Sequence, residues 1–236
     1  MNAPRVAAIT GASHGIGAAL VDAYLDLGYA VVANSRSIAP QSTATLETVA
    51  GDVGDPALAR DVVDAAMGRF GRLDTLVNNA GIFIAGPFED ITDEDYRTVM
   101  RTNVDGFFHL TRAAVVQMLA QGAGGHVVNL TSTLVESASS AVPSALTALS
   151  KGGIAAATRS LAIEYAGHGI RVNAVSLGVI ETSTFSAETH QLLDRQHPIG
   201  TTGRITDVTR GVVYLEQSPF VTGEILHIDG GQSAGH

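Results

Sequence analysis

The sequence predicts an α/β domain built on a doubly wound parallel sheet. Three observations carry this. Short apolar segments alternate with segments of helical period along all 236 residues, most of the strand-like segments are apolar without polar alternation, and a glycine-rich turn follows the first of them. Unbroken apolar strands suit a sheet buried on both faces, and regular alternation implies right-handed βαβ crossovers. The expectation is one doubly wound domain over 1–236, with about seven strands and helices on both faces.

Residues 5–9 are short, apolar and partly β-branched, as a buried strand requires. Thr10-Gly11-Ala12-Ser13-His14-Gly15-Ile16-Gly17 follows, and then 18–27, where Leu20, Ala23, Tyr24 and Leu27 recur at helical spacing. A glycine-rich passage from strand to helix is a place for a phosphate. Glycines remove the Cβ atoms that block close approach, and a helix N-terminus offers unpaired N–H groups. Gly11, Ser13, His14, Gly15, Ile16 and Gly17 are the expected contacts of that turn. Further strands are predicted at 30–34, 46–49, 75–78, 126–130, 171–175 and 225–228, and helices at 57–70, 93–121, 151–166 and 207–216. Thr92 and Asp95 give the third predicted helix a Thr-x-x-Asp start. Residues 37–45, rich in Ser, Thr and Ala with Pro40 and Gln41, predict a shortened or missing crossover helix.

Composition narrows the classes. Hydrophobic residues are 45% of the chain and glycines number 26, which allows a large core with many tight turns. No run of about 18 apolar residues is present, and residues 1–6 lack a charged-then-apolar leader. The absence of cysteine excludes disulfides and thiolate metal sites and makes the cytoplasm the expected location. A net charge of −9 argues against nucleic acid or an anionic membrane as a partner. The eight histidines show no ligand spacing, so no metal site is expected.

The motifs, taken in order, resemble one family. The 10–17 turn, Asp52-Val53, Asn78-Asn79-Ala80-Gly81, Asn103 in Thr-Asn-Val-Asp-Gly-Phe, Val128-Asn129-Leu130-Thr131-Ser132, Ser150-Lys151, Arg171-Val172-Asn173-Ala174-Val175 and Thr222-Gly223 before Asp229-Gly230-Gly231 look like the short-chain dehydrogenase/reductase family. The resemblance covers nearly the whole chain. It implies a single Rossmann-like domain, a nicotinamide cofactor, and hydride transfer to or from a carbonyl or alcohol. It further implies that Asp52 and Val53 border the adenine, that Asn79, Ala80 and Gly81 line the ribose and pyrophosphate, that Lys151 reaches the ribose hydroxyls, and that Ile180 and Thr182 touch the carboxamide. The family's Pro-Gly ahead of that last segment is Leu177-Gly178 here.

Cofactor choice follows from charge. Sites for NAD place a carboxylate after the second strand to hold the ribose 2′-hydroxyl. Here the stretch reads Ala33-Asn34-Ser35-Arg36. Ser35 can hydrogen-bond a 2′-phosphate and Arg36 can pair with it, so NADP(H) is expected over NAD(H). His14 stands where many phosphate-preferring relatives carry a basic residue.

The catalytic pattern departs from the family. Asn103, Ser132 and Lys151 match it, but the tyrosine position four residues before the lysine is Thr147, and no tyrosine lies between Tyr96 and Tyr165. A threonine hydroxyl can donate a hydrogen bond but cannot usefully ionise, and losing a positioned general acid costs about 10²–10⁴-fold. The stretch from Ser132 to Lys151 is also two residues longer than is common, with Glu136, Ser137, Ser139, Ser140 and Pro143 in it. Three readings stand. The first is an NADP(H)-dependent oxidoreductase acting on a small carbonyl, alcohol or conjugated enone, its proton coming from Lys151 through water, from Glu136, from solvent or from the substrate. The second is an NADP-binding sensor or partner subunit, and the third an assembly scaffold. The resemblance implies a small substrate lid around 183–203, in which Phe185, Leu192 and Leu193 would wall an apolar pocket and His190 and His197 are expected to be exposed. Helices 93–121 and 151–166 are apolar around most of their circumference, which predicts a homotetramer or dimer formed through them.

Overall fold

The computed structural model describes residues 3–182 and 192–235. Among the described residues nine strands run β1 (Val6–Thr10), β2 (Ala30–Ser35), β3 (Leu46–Ala50), β4 (Thr75–Asn78), β5 (Gly125–Ser132), β6 (Ile170–Leu177), β7 (Ile180–Glu181), β8 (Gly203–Arg204) and β9 (Ile225–Ile228). Seven of them form one parallel sheet in the order β3-β2-β1-β4-β5-β6-β9, and β7 and β8 make a separate two-stranded pair. This is the doubly wound, Rossmann-like α/β fold expected from the alternation. The strand order reverses between β1 and β4, which opens a crevice at the carboxyl ends of the strands.

The helices are α1 (Gly15–Asp26), α2 (Pro56–Phe70), α3 (Asp93–Val99), α4 (Gly106–Gln121), α5 (Ala145–Tyr165) and α6 (Ile205–Gln217). Strand side chains alternate between two cores. Val6, Ala8, Ala30 and Val32 join Leu58 and Val62 of α2, Leu110 and Met118 of α4, and Ala162 of α5. Ala7, Ile9, Val31 and Ala33 join Leu20 and Tyr24 of α1 and Val208, Val212 and Leu215 of α6. Both faces are covered, which is why β1 and β2 are buried at every residue.

Local chemistry sets the helix ends. Asp55 caps α2 through Ala57 N–H, Pro56 fills its first turn, and Gly71 closes it at φ 80°. The Thr92–Asp95 capping box starts α3 as the sequence predicts. No helix joins β2 to β3, in keeping with the composition of 37–45.

Two boundaries differ from expectation. The single helix predicted over 93–121 is broken by a π-helical turn, Met100–Asp105, within which the Asn103 side chain turns inward to the backbone of Ile82. The helix predicted from 151 begins at Ala145. Ser139, Ser140, Pro143 and Ser144 mask its start in the sequence, although Leu146, Ser150 and Ile154 already keep the buried spacing.

Candidate cofactor cleft and the polar cluster at its inner end

The glycine turn leaves β1 at Gly11 (φ 64°) and enters α1 at Gly15 (φ 56°), both in the left-handed region that favours glycine. A Cβ on Gly17 would lie 2.1 Å from the Gly11 carbonyl oxygen, so only glycine lets the turn close on the helix. Thr10 Oγ1 accepts hydrogen bonds from Asn79 N–H (3.1 Å) and Ala80 N–H (2.9 Å), and Asn79 Nδ2 donates to the Thr10 carbonyl (2.7 Å). These bonds seat the end of β4 against the turn. α1 starts at the cleft without a side-chain cap, so its first N–H groups lack helical partners there.

The cleft above this turn has a volume of about 470 Å³. It is lined by Gly11, Ser13, His14, Gly15, Ile16, Gly17, Ser35, Arg36, Asp52, Val53, Asn79, Ala80, Gly81 and Thr182. All the sequence-predicted cofactor residues are thus present except Lys151, Gly178 and Ile180. Lys151 lines a small inner cavity with Thr10, Ala80 and Asn103. Ile180 is buried, and Gly178 packs under His197, where a Cβ would meet the imidazole Nε2 at 2.7 Å. Asn34, Ser37, Gly51, Ile82 and Thr102 also line the cleft and were missed. All five adjoin a predicted residue in sequence, so neighbourhood was the available signal.

At the outer end, no carboxylate follows β2. Arg36 is exposed and has no ion-pair partner among the described residues. Asp52 is occupied: Gly54 N–H donates to its Oδ1 (2.9 Å), and Arg101 Nη2 lies 3.3 Å from its Oδ2.

At the inner end, Asn103 is buried. Its Oδ1 accepts from Ile82 N–H (2.9 Å), and its Nδ2 donates to the Ile82 carbonyl (3.0 Å) and to Ser150 Oγ (3.2 Å). Lys151 Nζ donates to the Leu130 carbonyl (2.7 Å), and burial lowers the ammonium to about 8. A Cβ on Gly81 would sit 3.0 Å from that Nζ, so the bare backbone keeps the lysine open toward the cleft floor. Ser132 ends β5, its Oγ accepting from Leu134 N–H. Thr147 is only 3% exposed, and its Oγ1 is buried without a hydrogen-bond partner. It does not line the cleft.

A family model described as enoyl-(acyl carrier protein) reductase matches residues 11–233. The chain belongs to the short-chain dehydrogenase/reductase family. It is 39% identical to a putative ketoacyl reductase of the granaticin polyketide synthase of Streptomyces violaceoruber, over 96% of this chain and 95% of that protein. Its fold superposes on ElxO with NADP bound at a TM-score of 0.90 and 29% identity, over 98% and 100% of the two chains. It superposes on a short-chain dehydrogenase from Leptospira borgpetersenii with bound NAD⁺ at 0.89 and 30% identity, over 98% and 93%. As a short-chain dehydrogenase/reductase, the protein is an oxidoreductase that uses a nicotinamide cofactor.

The substrate side of this short-chain dehydrogenase/reductase departs from expectation at His197. That residue is 3% exposed, not a surface lid residue. Its Nε2 accepts from Val179 N–H (3.0 Å) and its Nδ1 faces the Leu193 carbonyl (3.0 Å), which fixes the Nδ1–H tautomer. The imidazole ties the 192–200 segment to the strand end. Glu136 is paired with His227, so that carboxylate already has a partner. Gly86 N–H donates to the Pro143 carbonyl (2.9 Å) and links the lengthened segment before α5 to the one after β4. Phe185 and His190 lie outside the described residues; Leu192 is exposed. Among the described residues, no cluster of three or more His, Cys, Asp or Glu could hold a metal ion, and no helix is long and apolar enough to cross a membrane.

Proposed function

We propose that this chain is an NADP(H)-dependent reductase of a small carbonyl or conjugated enone, with Lys151 in place of tyrosine as the proton-holding group. The observation that carries the cofactor reading is the outer corner of the cleft, where Ser35 and an exposed Arg36 without an ion-pair partner among the described residues stand with no carboxylate directly after β2. The residues fit a dinucleotide: the glycine turn is a cradle that a Cβ would fill, and its helix N-terminus favours an anion. When bound, the cofactor supplies or accepts the hydride. Gly11 to Gly17 would hold its pyrophosphate, Ser35 and Arg36 its 2′-phosphate, Asn79 to Gly81 its ribose, and Ile180 and Thr182 its carboxamide side. Ser132 would hold the substrate oxygen by a hydrogen bond. Asn103 holds the backbone of Ile82 and the start of α5 beside Lys151. An ammonium that titrates near 8 can release a proton near neutral pH, and one bridging water suffices to carry it.

A ketoacyl reductase among the relatives suits reduction of a carbonyl, and the enoyl reductase description of the family model suits a conjugated C=C, whose carbon can be protonated late. The chain is read as a single domain whose substrate lid lies around 183–203, of which 183–191 fall outside the described residues. α4 and α5 pair with their counterparts in a dimer or a tetramer.

Fluorescence titration tests the cofactor reading. NADPH should bind at least tenfold tighter than NADH, about 1.4 kcal/mol, and Arg36→Ala should remove most of that gap. Equal affinities in the unaltered protein would sink it. NADPH consumption against a panel of ketones, aldehydes and enones tests the reaction. Tight NADPH binding with no turnover on any of them would support the sensor reading instead.

A further inference from the structure

Asp229-Gly230-Gly231 follows β9 directly, and the chain turns there. The N–H groups of Gly231 and Ser233 donate to Asp229 Oδ1 and Oδ2 (both 2.9 Å), and Gln232 N–H donates to the Asp229 carbonyl (3.1 Å). Gly230, at φ 58°, lets the 197–199 segment lie directly on the turn. A Cβ there would sit 2.7 Å from Ile199 Cγ2, and Ile199 N–H donates to the Gly230 carbonyl (3.0 Å). The turn is therefore closed by its own bonds and braced from outside.

Gln232 reaches from this braced turn to the substrate side of the site. It is buried, and its Oε1 accepts from Thr133 Oγ1 (3.0 Å), a residue 99 positions away in sequence. The Thr133 hydroxyl also lies 3.2 Å from the carbonyl of Leu177, the residue in register with Ser132 between β5 and β6. The Thr133 carbonyl accepts from the N–H groups of Glu136 (2.9 Å) and Ser137 (2.8 Å). Leu134 N–H in the same turn donates to Ser132 Oγ (3.3 Å). Thr133 thus anchors the turn that orients the Ser132 hydroxyl. The Gln232 bond is not needed to form the 229–233 turn, so its consequence lies at Thr133. A hydroxyl that must meet a reacting oxygen loses rate when its support shifts by a fraction of an ångström.

We propose that Gln232 is a positioning residue for the reaction: it holds Thr133, and through it the hydroxyl of Ser132. This rests on reading Ser132 as the group that holds the substrate oxygen. Two measurements on the full chain test it. Gln232→Met removes the acceptor at nearly equal size. By hydrogen exchange, the amides of Leu134, Glu136 and Ser137 should open about threefold faster or more in that variant. Exchange in the 10–17 turn and the thermal midpoint should stay unchanged. With NADPH and ethyl acetoacetate as the probe, kcat should fall about threefold to tenfold while the Kd for NADPH stays within about twofold. Thr133→Val should reproduce the loss, the double variant should be no worse than the larger single one, and Thr133→Ser should restore the rate. In a Ser132→Ala background, Gln232→Met should cost nothing further. Unchanged exchange at 134–137, or the same loss of rate with and without the Ser132 hydroxyl, overturns the inference. Ser132→Ala with full kcat discards the reading of the serine and the inference with it. A lowered kcat for Ser132→Ala beside an unchanged kcat for Gln232→Met discards the inference alone.

Discussion

At Lys151, burial alone moves an ammonium from its ordinary range near 10.5 to about 8, and its bond to the Leu130 carbonyl holds it at the cleft floor. A lysine that donates a proton must be charged, so reduction should run at its plateau below pH 8 and fall about tenfold per unit above it. Oxidation of the corresponding alcohol should show the opposite slope. The check is kcat/KM against pH for the unaltered protein and for Lys151→Met, in which the limb near 8 should vanish along with most of the activity. A flat profile from pH 7 to 10 would remove Lys151 from the proton path. The residues of this site divide by how local their cause is. That Gly11, Gly15, Gly17, Ser35 and Arg36 line one cleft was legible because the turn geometry and the strand end each depend on a few adjacent positions. The burial of Thr147 and of His197 was not. His197 is held by the strand end at Val179, 18 residues away in sequence, and the polar side chain at Thr147 gives no local sign that the fold buries it.

Among the elements, the strands were legible because continuous apolar runs are required wherever both faces of a parallel sheet are covered. The helices were legible in number but not in detail. The π-helical turn keeps the apolar period of its flanks, so periodicity alone reads 93–121 as one helix. It carries Asn103, whose side chain is bonded across space to Ile82, a contact that periodicity does not register. The same period also conceals how much of a helix stays uncovered. Phe108 and Val116 on α4 and Leu149 and Ile163 on α5 are more than half exposed, while Leu110, Met118, Ile154 and Ala162 of the same helices fill the core. Apolar side chains of that size on two adjacent helices argue for a second copy of the chain covering them. Light scattering at micromolar concentration should give a dimer or tetramer, and Val116→Glu with Ile163→Glu should shift it to monomer. A monomeric unaltered protein would reject the pairing.

Across the whole molecule, the two ends of the sheet have different work. The carboxyl ends of the strands form the cleft, and the opposite end holds a buried charge. Thr75, His126 and Arg171 stand in register at the starts of β4, β5 and β6, facing Glu216 near the end of α6. The Glu216 carboxylate accepts from Tyr29 (2.6 Å), His126 Nδ1 (2.8 Å), Tyr24 (3.1 Å) and Thr75 (3.2 Å). His126 Nε2 accepts from Asn173 Nδ2 (3.0 Å), so the imidazole is neutral. Arg171 donates to the carbonyls of Leu215 and Glu216 and closes the carboxyl end of α6, where a cation is favoured. Burial alone would raise the Glu216 carboxyl, but the bonds from His126, Tyr29 and Tyr24 outweigh it and bring the group to about 2. Burial lowers His126, against the pull of Glu216. Both folded-state values lie below the unfolded ones, so both groups contribute stability that is present at neutral pH and lost on acidification. The His126 share is lost as pH falls below 6.5, and the Glu216 share as it falls from 4.5 toward 2. The latter amounts to about 3 kcal/mol for a group buried this fully. Urea midpoints measured from pH 7 to pH 3 should therefore drop steeply below 4.5. Glu216→Gln should lower the midpoint at pH 7 by an amount equivalent to about 3 kcal/mol and flatten the acid limb. If the variant keeps the same slope between pH 4.5 and 3 as the unaltered protein, Glu216 is not the group whose ionisation locks α6 to the sheet.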